Sequence, residues 1–223
     1  MGLEKRSRQS KKENRIKICG ITNLEDALFA QGSGADALGF VFYPASPRYI
    51  RPEDARKIIL RLNKKIIKVG VFVNPEAGQV KRIARLCQLD ILQFHGDEAP
   101  DFCHKFPSCK IIKAFRVKDK SSLSRLSDYR GAVDYYLFDA FSQKCLGGTG
   151  RKFNWGLLKM AKIDKPFFLS GGLTPKNVVG AIKTVCPAWV DVSSGVEKYP
   201  GQKDQKKIKN FIDRVMSIPL PLP

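Results

Sequence analysis

From Arg15 onward, short runs of β-branched and aromatic residues alternate with longer stretches in which apolar residues recur every three or four positions. The first pattern suits a strand buried on both faces, and the second a helix with one apolar side. Eight such alternations predict strands at Arg15–Cys19, Ala37–Phe42, Ile66–Val73, Ile91–Phe94, Lys110–Phe115, Tyr135–Asp139, Pro166–Ser170 and Trp189–Ser193. Four of the intervening stretches match the helical spacing cleanly: Ala55, Ile58, Ile59 and Leu62; Val80, Ile83, Ala84 and Cys87; Val178, Ala181, Ile182 and Val185; and Ile208, Phe211, Ile212 and Val215. Pro52, Pro75 and Pro175 mark helix starts, since proline fits a first turn that needs no N–H donor.

Strands that alternate with helices build a parallel sheet, and eight such units close naturally into a barrel. The expectation is therefore an α/β chain with one (β/α)8 TIM-barrel domain over residues 15–217. Residues 1–14 read as a disordered basic leader and 218–223 as a proline-rich tail. The alternative, an open doubly wound sheet, calls for G-x-G-x-x-G after the first strand, and Cys19-Gly20-Ile21-Thr22 is not that motif.

Composition adjusts this picture in three places. The formal net charge of +19 raises the possibility of a nucleic-acid partner. Six of the basic residues fall in the first fifteen positions against two acids, and the rest scatter over polar helix faces without interleaved aromatics. That distribution reads as a solvated surface, so no nucleic-acid partner is expected. The six cysteines show no C-x-x-C pair and have only His95 and His104 to join them, so no metal site is expected. No apolar run approaches the roughly 20 residues of a membrane span, and no signal peptide precedes the barrel. Arg6 breaks the myristoylation pattern that Met1-Gly2 begins. The chain reads as cytoplasmic, without a membrane partner, and as a monomer or homodimer.

A barrel of this kind carries its site at the C-terminal strand ends. Those positions hold Cys19-Gly20-Ile21-Thr22, Tyr43 to Arg48, Asn74, His95-Gly96-Asp97-Glu98, Arg116, Asp139, Ser170-Gly171-Gly172 and Ser193-Ser194-Gly195. The last two segments follow the seventh and eighth strands, where the fold usually cradles phosphate. Backbone N–H groups of Gly171, Gly172, Ser194 and Gly195, with the hydroxyls of Ser193 and Ser194, suit phosphate oxygens. A small phosphorylated molecule is the expected partner.

Lys17-Ile18-Cys19-Gly20-Ile21-Thr22, Gly39-Phe40-Val41-Phe42, Ser46-Pro47-Arg48-Tyr49, Gly70-Val71-Phe72-Val73, Gln93-Phe94-His95-Gly96, Gly147-Gly148-Thr149-Gly150, Ser170-Gly171-Gly172-Leu173 and Asp191-Val192-Ser193-Ser194-Gly195-Val196-Glu197 occur in this order. Together they resemble the phosphoribosylanthranilate isomerases of tryptophan biosynthesis over nearly everything after residue 15. Phe94, where the family often has leucine, and the basic leader are the departures. The resemblance implies a barrel of the ribulose-phosphate-binding type and an Amadori rearrangement that needs no cofactor. The substrate would be N-(5-phosphoribosyl)anthranilate, rearranged to the carboxyphenylamino-deoxyribulose phosphate.

That chemistry needs an acid at the furanose oxygen and a base at the sugar C2 proton. The resemblance assigns the base to Cys19 and the acid to Asp139. It demands a thiol lowered toward neutrality and a carboxyl raised enough to stay protonated. Arg48 would fork onto the anthranilate carboxylate. His95 and Asp191 would support the site from nearby, and the Gly147 to Gly150 stretch would form a loop over it. A sister sugar-phosphate isomerase of histidine biosynthesis uses a carboxylate at the end of strand one, and Cys19 argues against it.

Overall fold

Eight parallel strands close into one barrel in chain order in the computed structural model, which describes residues 14–140 and 154–218. They are β1 (Arg15–Cys19), β2 (Ala37–Val41), β3 (Ile67–Phe72), β4 (Ile91–Phe94), β5 (Lys110–Val117), β6 (Tyr135–Ala140), β7 (Phe167–Leu169) and β8 (Trp189–Val192). The barrel closes where β8 pairs with β1, with Asp191 beside Lys17 and Val192 beside Ile18. Most of the 1–14 leader, residues 219–223 of the tail and the segment holding Gly147 to Gly150 lie outside the described residues.

Side chains alternate across a strand, so each strand divides its residues between the barrel interior and the helices around it. The inward set includes Ala37, Val69, Ile91, Ile112, Ala114, Leu137, Phe168 and Trp189. The outward set, with Ile16, Ile18, Leu38, Phe40, Leu92, Tyr136 and Val190, packs against helix residues such as Val80, Ile83, Ala181, Ile182, Ile208 and Phe211. Stacked rings of Phe168 and Trp189, 4.7 Å apart, fill the lower interior, with the Arg15 guanidinium 5.3 Å above the Trp189 ring. Nearer the C-terminal mouth, Cys19, Val41 and Val71 form the next inward layer.

The four helical stripes become the packed faces of α2 (Pro52–Ile59), α3 (Ala77–Cys87), α6 (Val178–Val185) and α7 (Gln205–Met216), except that α2 ends before Leu62, which is half-buried in the turn beyond it. The remaining helices are α1 (Leu24–Ser33) and the single turns α4 (Pro100–Cys103) and α5 (Gly156–Lys159). Between β5 and β6 there is no α-helix among the described residues. Two 3-10 turns, Lys120–Leu123 and Leu126–Tyr129, stand in its place. The cause lies in the spacing: Leu123, Leu126 and Tyr129 are buried three residues apart, the period of a 3-10 helix. Asp119 caps the first turn by accepting from the Ser121 and Ser122 amides, a local bond that competes with α-helix. A second departure is a two-stranded hairpin, β9 (Glu197–Tyr199) with β10 (Gln202–Lys203), inserted between β8 and α7.

Candidate active site

At the C-terminal mouth, Cys19 from the end of β1 and Asp139 from β6 line one cavity together with Arg48, His95, Asp191, Ser193 and Ser170. Cys19 is the last residue of β1 and Asp139 the next-to-last of β6, so both stand at C-terminal strand ends. Gly171, Gly172, Ser194 and Gly195 do not line that cavity and sit one or two residues beyond Ser170 and Ser193, in the loops at its edge. The two loops touch: a Cβ on Gly195 would fall 1.9 Å from the Leu173 carbonyl oxygen, so only glycine allows the approach. Gly171 and Gly172 adopt positive φ of 81° and 67°, and Asn177 holds their loop by donating to the Gly172 carbonyl and accepting from Thr174 N–H.

Beneath the cavity runs a buried polar chain. Lys17 Nζ donates to Asp191 Oδ1 and to Gln93 Oε1, each at 2.9 Å. Gln93 Nε2 then lies 2.9 Å from His95 Nδ1, and His95 Nε2 lies 3.2 Å from Asp139 Oδ2, close but without the alignment of a hydrogen bond. An ammonium can only donate, so Lys17 orients the Gln93 amide, and its NH₂ end must give a proton to His95 Nδ1. A neutral His95 therefore carries its hydrogen on Nε2, facing Asp139. With only two histidines in the chain, ¹⁵N spectra should show this directly. A protonated Nδ1 with a bare Nε2 would contradict it.

A model of the N-(5'phosphoribosyl)anthranilate (PRA) isomerase family matches residues 16–214. The chain belongs to that family. The isomerase of Geobacter sulfurreducens is 52% identical over 200 residues, 90% of this chain and 97% of the relative. The crystal structure of the Thermotoga maritima isomerase superposes with a TM-score of 0.86 at 45% identity, over 92% of this chain and all of the other. A solved isomerase in complex with reduced 1-(o-carboxyphenylamino)-1-deoxyribulose 5-phosphate superposes at 0.80 with 44% identity, again over 92% and 100%.

The family expectation of a lowered thiol does not match the balance around Cys19. Burial pushes the thiol above its ordinary range; Lys17 opposes this, Asp191 reinforces it and Lys203 opposes it again. Arg48 also departs from a surface arginine. It is buried, and its fork already holds a carboxylate, with Nε 2.9 Å and Nη2 2.7 Å from the two Glu197 oxygens. Lys203 Nζ bonds Glu197 Oε1 at 2.9 Å and the Cys19 carbonyl at 2.5 Å, tying the β9–β10 hairpin to the end of β1. Burial works to raise the Glu197 carboxyl, but Arg48 and Lys203 outweigh it and hold it below its usual value.

Lys17, Gln93, Glu197 and Lys203 were absent from the candidates read from sequence. For Lys17 a signal existed. In a strand, residues two apart share a face, so a Cys19 turned into the barrel carries Lys17 in with it. The cysteines divide likewise: Cys87 and Cys103 are buried, with burial pushing each thiol up to about 11, whereas Cys186 is exposed at the end of α6.

Proposed function

We propose that this chain isomerises N-(5'-phosphoribosyl)anthranilate to 1-(2-carboxyphenylamino)-1-deoxyribulose 5-phosphate, a step of tryptophan biosynthesis, with Cys19 as base and Asp139 as acid. The observation that carries the reading is a thiol and a carboxyl presented to one cavity from two separate strands, β1 and β6, with β7 and β8 between them. The protonated Asp139 carboxyl gives its proton to the furanose oxygen as the ring opens to a Schiff base. The Cys19 thiolate then takes the C2 proton, leaving an enolamine that tautomerises to the ketosamine. No electrons are gained or lost.

The loops after β7 and β8 hold the substrate phosphate through Gly171, Gly172, Ser193, Ser194 and Gly195. Arg48 takes the anthranilate carboxylate, while Lys203 retains Glu197 when the guanidinium changes partner. Asp191 and His95 support the site from the strand ends. The protein works in the cytoplasm on this small phosphorylated molecule, as monomer or homodimer, with no nucleic-acid partner.

Turnover of freshly prepared phosphoribosylanthranilate, followed by loss of its fluorescence in a buffer without added metal or nicotinamide, tests the reading. Failure to convert it, beside salt-sensitive DNA binding, would replace an enzyme with a binder. Arg48→Ala should raise KM at least about tenfold with kcat little changed, as expected for losing a charge-assisted fork. An unchanged KM removes Arg48 from substrate recognition.

A further inference from the structure

We infer that Lys17 is a positioning residue for this reaction: its ammonium, sealed beneath the cavity, stabilises the Cys19 thiolate and, through Gln93, holds His95 with its hydrogen toward Asp139. The inference rests on the proposed isomerase chemistry, because only a base at Cys19 gives the charge a task.

Lys17 is fully buried and stands two residues before Cys19 on the inward face of β1. Burial works to strip its proton, but Asp191, joined by the Cys19 sulfur when ionised, outweighs that and holds it above the usual lysine value. The ion pair with Asp191 at 2.9 Å thus favours the charged form. An ammonium has three donors. Two go to Asp191 Oδ1 and Gln93 Oε1, and Cys19 is the next residue on the same inward face of β1, where the Lys17 charge acts on its thiol.

While Cys19 is a thiol, Lys17 and Asp191 form a closed neutral pair. When the thiol ionises, two anions share one ammonium, so Lys17 favours the thiolate and Asp191 opposes it. The other charged or titratable groups at the thiol are Lys203 on β10, already bonded to Glu197, with Tyr43, Arg48, His95 and Asp139 around the cavity. Lys17 bonds Gln93 and shares the inward face of β1 with Cys19. It therefore joins the site's two proton-handling ends through two strands of the barrel.

The test is the pH dependence of iodoacetamide alkylation at Cys19 in the intact chain, read by peptide mass spectrometry so that the other cysteines do not contribute. Asp191→Asn should lower the midpoint by about one pH unit, so that at a fixed pH below it alkylation quickens about tenfold. Lys17→Met should move it up. Because that change strands the Asp191 charge, the double variant K17M/D191N, which removes both charges, is measured beside it and should also alkylate at a higher midpoint than wild type. A wild-type midpoint in the double variant overturns the inference. Should the double variant not fold, an unmoved midpoint in Lys17→Met does so. Alkylation requires no turnover, so a Cys19→Ser protein that still isomerises would refute the assigned base without touching this result.

Discussion

Cys19→Ser should lose about a thousandfold in kcat, the usual worth of a positioned base, while its melting temperature stays at the wild-type value. The hydroxyl fits the space of the thiol but holds its proton too firmly to become the base. Asp139→Asn should lose a similar amount for the converse reason. The amide oxygen can still accept the Ala140 N–H bond that Asp139 Oδ1 accepts at 2.8 Å, so the geometry persists without the transferable proton. The two groups are needed in opposite protonation states. Burial holds the thiol above its ordinary range, so residual kcat/KM in Asp139→Asn should climb about tenfold per pH unit between roughly pH 6 and 8. A flat profile in that variant, or near-normal turnover in either substitution, takes the residue out of the mechanism.

The largest stability effect is expected at Lys113. Its ammonium donates at 2.7 Å to Glu98 Oε2 and to the Gly96 carbonyl, and both ionic side chains are almost fully buried. Glu98 also accepts from the N–H groups of Asn74 and Gly96, so this one carboxylate ties the loop after β3 to the loop after β4. Lys113→Met leaves that carboxylate buried without its cation, at a cost of about 3–5 kcal/mol. For a domain of this size that lowers the melting temperature by roughly 10 °C. Glu98→Gln added to Lys113→Met should recover much of the loss, because the amide can still accept from the backbone without carrying a charge. Thermal melts decide it, and a single Lys113→Met variant that melts with the wild type would show the pair to be dispensable.

Local pattern carried the barrel a long way. The bounds expected for β1 and β4 are those observed, and the stripes counted at helical spacing are buried helix faces except at Leu62, which falls beyond the end of α2. Such features depend on neighbours a few residues away, which a linear reading can see. The segment after β5 escaped because its buried residues repeat every three positions, a period too tight for the α-helical template. Among site residues, Cys19, Asp139, His95 and Asp191 were legible because a barrel places strand ends around one mouth whatever the loops do.

What the sequence by itself determined is the order of strands and helices, and therefore which residues reach the C-terminal mouth. The partners of those residues were decided by closure of the barrel. Lys17 meets Asp191 across 174 positions and Gln93 across 76, and Arg48 meets Glu197 across 149. A charged side chain in an apolar strand is costly unless it finds such a partner, and only the curvature that seats β8 against β1 supplies one.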